Sequence, residues 1–590
     1  MQQQLDVVIR GGTVVDGTGG APYVADVGIA GERIVAIGPD LGPAAQTLDA
    51  TGLLVTPGFV DVHTHFDGQA TWDKRLWPTS LQGVTTAIMG NCGVGFAPCR
   101  AADRGTLIEL MEGVEDIPGT ALHEGLPWNW ESFPEYLQAL DARHYDIDIA
   151  ALIPHGALRV YAMGERGVRR EPATPQDIAH MQALVRDALA AGAMGLATSR
   201  TMAHRSKSGD FTPMYQAASD ELRQLGLALQ DAPHSVFQMI SDFDDVEAEF
   251  AILRDVCRST GAAGTLSVLQ YPHRPALHLE LLERISQANA EGQRVVGQIL
   301  NRPVGVLMGF DCSLNPFACR PTYLRLENLP HAERIAQLRR ADVRAAILSE
   351  ADERPHLFMA YFGQNYAGMY PWTGDTPNYL PAAHESVQAL ADTAGVAPLQ
   401  WLYDFMCTQD GSAHVYLPMA NYLDHDTQAL HTLIAHPHTV PALGDGGAHV
   451  GTICDGSATT FLLTEWVRER QQLSIEHAVH LLTQRPAQLY GLHDRGTLAV
   501  GQLADVNLID LPALKILSPF IAHDLPAGGR RFLQHAEGYR ATLKRGQVTY
   551  RDGQATQALP GRLVRRAHHL AGGHTAPAST SAAAAQPVGA

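Results

Sequence analysis

The sequence predicts an α/β fold, a (β/α)8 TIM-like barrel with a small β-sandwich built from both chain ends. Two observations carry this prediction. Residues 1–57 and 491–562 consist of short β-branched runs separated by Gly and Asp, a pattern typical of strands and hairpins. Residues 58–490 alternate short, continuous apolar runs with amphipathic helical segments, as parallel strands buried on both faces do. Repeated strand–helix units over this length favour a barrel over a doubly wound sheet.

The two ends of the chain have similar strand patterns. The first part contains LDVVIRGGTVVDG, ADVGIAGERIVAIG and QTLDATGLLVTPG, and the last contains GTLAVGQLADVNLIDL and ATLKRGQVTYRDGQ. We therefore expect both ends to meet in one sandwich that flanks the barrel. Residues 563–590 are rich in Ala, Gly, Ser and Pro, and we expect this tail to be disordered.

One barrel helix is predicted in detail over residues 174–192. Thr174 is a suitable N-cap, Pro175 suits the first helical position, and Asp177 lies in the first turn. Gly192 ends the helix, and the apolar run MGLATS that follows predicts a buried strand. By the same reasoning, Ser474 begins a helix through SIEHAVHLLTQ.

Composition excludes several classes of function. The 590 residues include 43 Lys and Arg against 62 Asp and Glu, a net charge of −19 that argues against nucleic-acid and anionic-membrane partners. Seven irregularly spaced cysteines do not indicate a disulfide framework. No signal peptide and no apolar run of membrane-spanning length is evident. We expect a cytoplasmic protein that acts on a small molecule.

The strongest local motif is PGFVDVHTHFDG at residues 57–68. His63 and His65 are two positions apart, so on an extended strand both imidazoles project from the same face. Paired imidazoles at a strand end are natural ligands for zinc and related metals. The alternative is a pair of surface histidines in a turn.

This motif and five later segments together resemble the amidohydrolase superfamily, in particular its D-aminoacylase (N-acyl-D-amino-acid deacylase) group. The similar segments are residues 81–98 (LQGVTTAIMGNCGVGFAP), 111–140, 153–159 (IPHGALR), 443–449 (LGDGGAH) and 483–510. The resemblance spans nearly the whole chain apart from the tail. It implies a metal-dependent hydrolase that cleaves a carbon–nitrogen bond.

The resemblance also implies a set of metal ligands. His63 and His65 match the ligands of the first strand, Cys92 matches the thiolate ligand of the deacylase group, and Asp445 matches the aspartate that is both ligand and general base. Many superfamily members use a carboxylated lysine instead of a cysteine. The chain has only four lysines, and none is near the end of the fourth predicted strand, so Cys92 is the better candidate.

The sequence departs from the family on two strands. The family has a histidine on the fifth strand and another on the sixth, where this chain offers Gln238 and Gln270. Amides are poor zinc ligands beside imidazole. We therefore expect one Zn²⁺ ion, with a second divalent metal as the alternative, and His273 or His449 as candidates for an additional ligand.

The implied reaction is hydrolysis of a linear amide, most simply of an N-acyl-D-amino acid, by metal-activated water with Asp445 as the base. His155 is a candidate for binding substrate. Arg274 and Arg302 are candidates for holding its carboxylate, because guanidinium groups bind carboxylates in a bidentate manner. GVGFAP lacks the Lys-Ser/Thr of a phosphate-binding loop, so nucleotide binding is not expected.

Two other functions stay open at this point. One is a cyclic amidase similar to hydantoinase or dihydroorotase. The other is a catalytically silent barrel that serves as a scaffold, which the missing histidines keep open. The sequence does not determine the oligomeric state.

Overall fold

The computed structural model describes residues 4–353, 363–452 and 455–566. Strands from both chain ends form one nine-stranded sheet, in which Leu54–Pro57 pairs antiparallel with Val506–Ile509. The chain ends therefore meet as predicted. The other strands of this sheet are Leu5–Val14, Tyr23–Ala30, Arg33–Gly38, Ala44–Asp49, Tyr539–Lys544, Gln547–Arg551 and Gln554–Ala555.

The middle of the chain contains a series of parallel strands, referred to below by their order. They are Phe59–Asp61, Val84–Met89, Asp148–Ala151 (continued by Ile153–Pro154), Gly195–Arg200, Val236–Ser241, Ala263–Ser267, Val295–Ile299 and Thr439–Pro441. Each strand pairs with the next one in parallel. A parallel bridge from Thr64 to Gly446 also brings the segments after the first and eighth strands together.

One apolar cluster receives a side chain from each of these strands. Its members include Val60, Ile88, Ala150, Ala197, Val236, Ala263 and Val440, with Val296 packed against them. Side chains alternate between the two faces of a strand, so the residues two positions further along face the same way. Gln238 and Gln298 therefore lie on the same side of the strands as this cluster, nearer the carboxyl ends.

The helices confirm the predicted boundaries. Helix Pro175–Ala191 has Thr174 as N-cap in a reciprocal capping box with Asp177, and it ends at Gly192 in the left-handed conformation. Helix Ile475–Leu482 begins after Ser474, whose side chain accepts from the His477 amide. Within the described ranges, the other α-helices of eight or more residues are Arg104–Glu115, Phe133–Asp141, His155–Met163, Ser219–Gly226, Val246–Thr260, Leu277–Ala290, His331–Leu338, Ala341–Ser349, Val387–Ala394, Pro398–Met406 and Gln428–Ala435.

A large insertion separates the seventh and eighth parallel strands. It carries its own antiparallel sheet of Val304–Met308, His414–Ala420 and Tyr370–Trp372, with a separate apolar core. At the end of the described chain, Leu563 is buried and pairs with Ile149, so residues 563–566 are ordered against the third strand. The remainder of the tail that is predicted to be disordered, residues 567–590, lies outside the described residues.

A buried charge cluster joins the terminal sheet to the parallel strands. The carboxylate of Asp148, at the start of the third strand, lies within 2.7–2.9 Å of Arg495, Lys544 and Arg545. All four side chains are nearly inaccessible to water. Burial alone would raise the pKa of Asp148, but the three cations outweigh it and hold that pKa well below its usual range. Among the described residues, no helix has both the length and the apolar character needed to cross a membrane.

Candidate metal centre

His63 and His65 follow the first parallel strand and are both almost fully buried. Their ring centroids are 5.4 Å apart, as expected for side chains two positions apart on extended backbone. The Asp61 carboxylate accepts a 3.1 Å hydrogen bond from the His63 amide and so fixes the backbone between the strand and the motif. The sequence motif thus delivers two neighbouring imidazoles to one point inside the fold.

Cys92 reaches the same point from the end of the second strand. Its sulfur lies 3.4 Å from His63 Nε2, and its backbone has a φ of +55°. That conformation is uncommon for a residue other than glycine, and such strain concentrates at functional sites. Gly90 and Gly93 on either side also have positive φ, and an added Cβ on Gly93 would lie 2.8 Å from Thr198 Cα. The loop can therefore pass close to the fourth strand.

Asp445 approaches from the opposite side, after the eighth strand. Its Oδ1 lies 3.4 Å from His63 Nε2 and 3.7 Å from His65 Nε2. Asp445 also has a positive φ, +43°, and its amide donates to the carbonyl of His63. Its side chain is 21% exposed, whereas both histidines are 2% exposed. Asp445 is therefore the one of these groups that is open to a cleft, which Trp77, Asp455 and Phe532 also line.

The distances fit the geometry of a bound zinc ion. Tetrahedral zinc, with nitrogen and oxygen ligands at about 2.0 Å and sulfur at about 2.3 Å, places neighbouring ligand atoms about 3.3–3.5 Å apart. The two contacts of His63 Nε2, to Cys92 and Asp445, are both 3.4 Å. The ligand atoms of His63, His65 and Cys92 lie within 4.8 Å of one another. Three residues form a compact ligand group, and Asp445 borders it on the open side.

The electrostatics of this group favour a cation. Burial raises the pKa of the Cys92 thiol well above its usual range, and the carboxylates of Glu115 and Asp445 raise it further. Burial, followed by the charges of Asp445 and Asp67, likewise raises the pKa of Glu115. Burial, then His63, lowers the pKa of His65, so its imidazole is neutral and can bind a metal. A bound divalent cation reverses the shifts of the acidic groups, because it stabilises their charged forms.

Sequence reasoning missed Glu115 and Gln298. Glu115, at the end of helix Arg104–Glu115, is buried with Oε1 3.2 Å from His65 Nδ1 and Oε2 3.8 Å from His449 Nε2. Gln298, on the seventh strand, places Oε1 2.5 Å from His63 Nδ1. Gln298 lies outside the segments that resemble the family, and Glu115 lies in one of them, residues 111–140, without a role implied by it. The alternation of apolar and polar residues in VVGQIL is the one sequence signal that places Gln298 inside the fold.

The two candidates for an additional ligand occupy different places. His449 is 29% exposed, has a φ of +48° and lies beside Glu115 at the edge of the group. His273 is exposed, and its ring packs against Tyr271 with the centroids 5.5 Å apart. The structure brings His449, and not His273, close to the predicted ligands. Lys207 lies on the surface, where it pairs with Glu112.

The three predicted substrate-binding residues all contact protein groups. His155 is fully buried between Glu221 and Thr198, at 2.9 Å from each. Arg274 donates to the backbone carbonyls of Asp242 and Phe243.

Arg302, the third of these residues, is also buried. It forms an ion pair with buried Asp455, and its guanidinium lies 3.9 Å from the ring centroid of Tyr379. The substrate-binding roles of these three residues stay predictions.

A second group of potential ligands lies in the insertion, where Asp311, Cys312 and His414 come together. Here His414 Nε2 and Asp311 Oδ1 are 2.8 Å apart, a hydrogen-bond distance, and Cys312 Sγ is 3.8 Å from the same oxygen. The bond from His414 outweighs burial and lowers the pKa of Asp311. This geometry is that of an ion pair with an adjacent thiol, and it differs from the ligand spacing around His63.

The chain is similar to known proteins over most of its length. The model of the Amidohydrolase family matches residues 46–550. The chain belongs to the amidohydrolase family. This amidohydrolase is 31% identical to the N-acyl-D-glutamate deacylase of Alcaligenes xylosoxydans xylosoxydans, over 97% of its own length and 99% of that enzyme. It is 27% identical to the N-acyl-D-aspartate deacylase of the same organism, over 95% of both chains.

A solved structure extends the comparison to three dimensions. The N-acyl-D-glutamate deacylase from Bordetella bronchiseptica, complexed with zinc and a phosphonate inhibitor that mimics the tetrahedral intermediate, has a TM-score of 0.62 to this amidohydrolase. The two chains are 24% identical, and the similarity covers 95% of this chain and 100% of that one. This similarity shows that the two proteins share a fold, in agreement with the predicted fold class.

Proposed function

We propose that this amidohydrolase is a deacylase that hydrolyses the linear amide bond of N-acyl-D-amino acids with one metal ion held by His63, His65, Cys92 and Asp445. The observation that carries the proposal is the convergence of two imidazoles and a thiol, with the Asp445 carboxylate beside them. Two relatives that match over at least 95% of both chains support the substrate class, since they are named as deacylases of N-acyl-D-glutamate and N-acyl-D-aspartate.

The chemistry needs a nucleophile and a proton for the leaving nitrogen, because an amide is a weak electrophile with a poor leaving group. A bound zinc ion supplies Lewis acidity, which polarises a carbonyl and makes water acidic enough to ionise near neutral pH. Asp445 Oδ1, which borders the ligand group and reaches the cleft, accepts the proton of the attacking water. The same carboxyl group then donates that proton to the departing amine.

We infer one ion because the described residues supply one compact ligand group at this site. The carboxamide of Gln238 is turned toward the backbone of Cys92, with Oε1 accepting from that amide at 2.9 Å. Gln270 lies beyond the sixth strand, where its backbone amide donates to Asn421 Oδ1 and its Oε1 accepts from the Leu423 amide at 3.5 Å. Neither amide is directed as a metal ligand.

We also infer that the enzyme works in a reducing compartment on a small-molecule substrate. Cys92, Cys99, Cys257, Cys312, Cys319 and Cys407 are all free thiols, which supports a reducing compartment such as the cytoplasm. A net charge of −19 supports a small-molecule substrate over a nucleic acid.

The test combines metal content with substrate specificity. Zinc per chain is measured for the wild type and for Asp445→Asn, and both are assayed on N-acyl-D-amino acids, their L-enantiomers and a hydantoin. We expect one zinc per wild-type chain, turnover of the D-enantiomers, and a loss of at least about 100-fold in kcat for Asp445→Asn. Asp410→Asn, at a position in the insertion where the carboxylate is 99% exposed, is the matched control.

The other outcomes separate the alternatives. Turnover of the hydantoin without turnover of N-acyl amino acids would assign a cyclic amidase. A wild-type protein with neither bound metal nor turnover would refute catalysis and leave a scaffold. Two zinc ions per chain would refute the single-ion site.

A further inference from the structure

Two fully buried glutamines lie directly behind the predicted metal ligands. Gln238 is on the fifth parallel strand and Gln298 is on the seventh, and both are 0% exposed. Burying a carboxamide is costly unless its polar atoms are bonded. Each of these side chains uses its oxygen on a residue of the ligand group, and neither amide nitrogen has a hydrogen-bond partner within the described residues.

The contact between Gln298 and His63 determines which nitrogen of the imidazole is free. Nδ1 of His63 lies 2.5 Å from Gln298 Oε1, while Nε2 faces Cys92 and Asp445. An imidazole that binds a metal through Nε2 carries its proton on Nδ1, and a carbonyl oxygen is the acceptor that this proton needs. With its oxygen toward Nδ1, Gln298 stabilises this tautomer and the orientation of the ring.

The contact between Gln238 and Cys92 holds the backbone of the third ligand. A backbone amide can only donate, so the group of Gln238 that faces it, at 2.9 Å, is the carboxamide oxygen. Cys92 has a φ of +55°, a conformation that costs about 1–3 kcal/mol and needs support from its surroundings. The bond from the fifth strand supplies such support at the backbone amide of Cys92 itself.

We propose that Gln298 and Gln238 are positioning residues, which hold His63 in its metal-binding tautomer and Cys92 in its metal-binding backbone conformation through their carboxamide oxygens. This inference rests on the proposed metal site. In this inference Gln238, on the fifth strand, supports the backbone of the ligand Cys92. The two glutamines thus support ligands that follow the first and second strands and are not ligands themselves.

The first experiment measures zinc affinity by competition with a chelator. Gln298→Leu removes the acceptor for Nδ1–H, and we expect zinc affinity to fall by about 10–100-fold. Gln298→Glu keeps an acceptor oxygen at the same reach, and we expect it to restore affinity to within about threefold of the wild type. Val296→Ala, two positions earlier on the same face of the strand, is the matched control for packing, and we expect it to bind zinc as the wild type does.

The second experiment uses the spectrum of the Co²⁺-substituted protein. Gln238→Leu is expected to weaken the charge-transfer absorption between the Cys92 thiolate and Co²⁺, and Gln238→Glu to retain it. Should Gln298→Leu fail to fold, Gln298→Asn keeps the amide but shortens its reach, and we expect the same loss of zinc affinity.

Wild-type affinity in Gln298→Leu, or an unchanged Co²⁺ spectrum in Gln238→Leu, would overturn the inference and leave the metal site intact. Equal loss in the Leu and Glu variants would also overturn it, because packing would then explain the effect. A wild-type chain that binds no metal would overturn the proposed function and this inference together.

Discussion

His63 Nε2 and Cys92 Sγ lie 3.4 Å apart, although they are separated by 29 positions in the chain and follow different strands. The first and second strands run in parallel, so the residues that follow their carboxyl ends meet on the same edge. Asp445 reaches this edge from the eighth strand, where its amide bonds to His63. The order of the strands thereby assembles ligands from three distant segments.

Replacing Cys92 by serine is expected to remove most bound metal. Serine keeps the size of the side chain but replaces a soft thiolate with a hydroxyl, which is a poor zinc ligand. We expect zinc content after dialysis against a chelator to fall from one ion per chain to less than about 0.2, since an affinity loss of tenfold or more empties the site. Cys99→Ser is the matched control, because Cys99 is also buried and its thiol contacts the Arg100 carbonyl. Full zinc content in Cys92→Ser would show that the thiol is not a ligand.

Replacing Glu115 by glutamine tests the contact of 3.2 Å to His65 Nδ1. A carboxylate that faces the outer nitrogen of a metal-bound histidine increases the basicity of that ligand and fixes its orientation. We expect Glu115→Gln to weaken zinc binding by about 10-fold while the fold is retained. Glu112 lies on the same helix as Glu115 and pairs with Lys207 at the surface. Glu112→Gln removes that pair and should leave zinc affinity unchanged. The two affinities are measured by chelator competition, and equal values would contradict this role.

Asp148→Asn is expected to destabilise the whole protein. The substitution leaves three buried cations facing a neutral amide, and breaking a buried ion pair costs about 3–5 kcal/mol. The melting temperature, measured by differential scanning fluorimetry, should fall by several degrees. Asp141→Asn removes a half-exposed pair with Arg565 and should change stability by less than about 1 kcal/mol. Similar melting temperatures for the two variants would refute the importance of this cluster.

The stability contributed by Glu221 should be lost in acid. Burial alone would raise the pKa of Glu221, but the hydrogen bond from His155 and the charge of Arg159 outweigh it and lower that pKa to about 2. The usual value is about 4.3, so the charged group stabilises the fold above that pH, and the contribution disappears as the pH falls toward 2. The shift corresponds to about 3 kcal/mol at neutral pH.

The measurement for Glu221 is the difference in melting temperature between the wild type and Glu221→Gln as a function of pH. We expect a large difference from pH 5 to 7 that narrows as the pH is lowered from 4 toward 2. Glu165→Gln changes a side chain that is 80% exposed and should show no such dependence. A difference that does not vary with pH would mean that the charge of Glu221 does not stabilise the fold.

Prediction from the sequence succeeded where the signal was local. Thr174, Asp177 and Gly192 mark the ends of one helix because capping depends on residues within a few positions of one another. The motif His63-Thr64-His65 likewise predicts two adjacent imidazoles, since strand geometry alone places them on one face. The scarcity of lysine favoured Cys92 over a carboxylated lysine as the ligand. In the structure Lys207 lies on the surface and pairs with Glu112.

Local patterns did not reveal Glu115 and Gln298. Glu115 ends an amphipathic helix like many surface glutamates, but it is buried against His65 and His449, which follow the first and eighth strands. The sequence did identify Arg302 as a candidate for binding substrate. It did not reveal that the guanidinium pairs with Asp455, a residue 153 positions away. A side chain's partner across the fold depends on the packing of distant segments, which sequence spacing does not encode.

The sequence by itself thus determined the fold class, the family and the residue types of the candidate ligands, because periodicity, caps and motifs act over short spans of chain. Only the tertiary structure decided which distant groups contact those ligands. It placed His449 rather than His273 at the edge of the site, and it turned Gln238 toward the Cys92 backbone. The physical reason is that hydrogen bonds and ion pairs act over a few ångströms in space, and folding alone brings residues from separate strands within that distance.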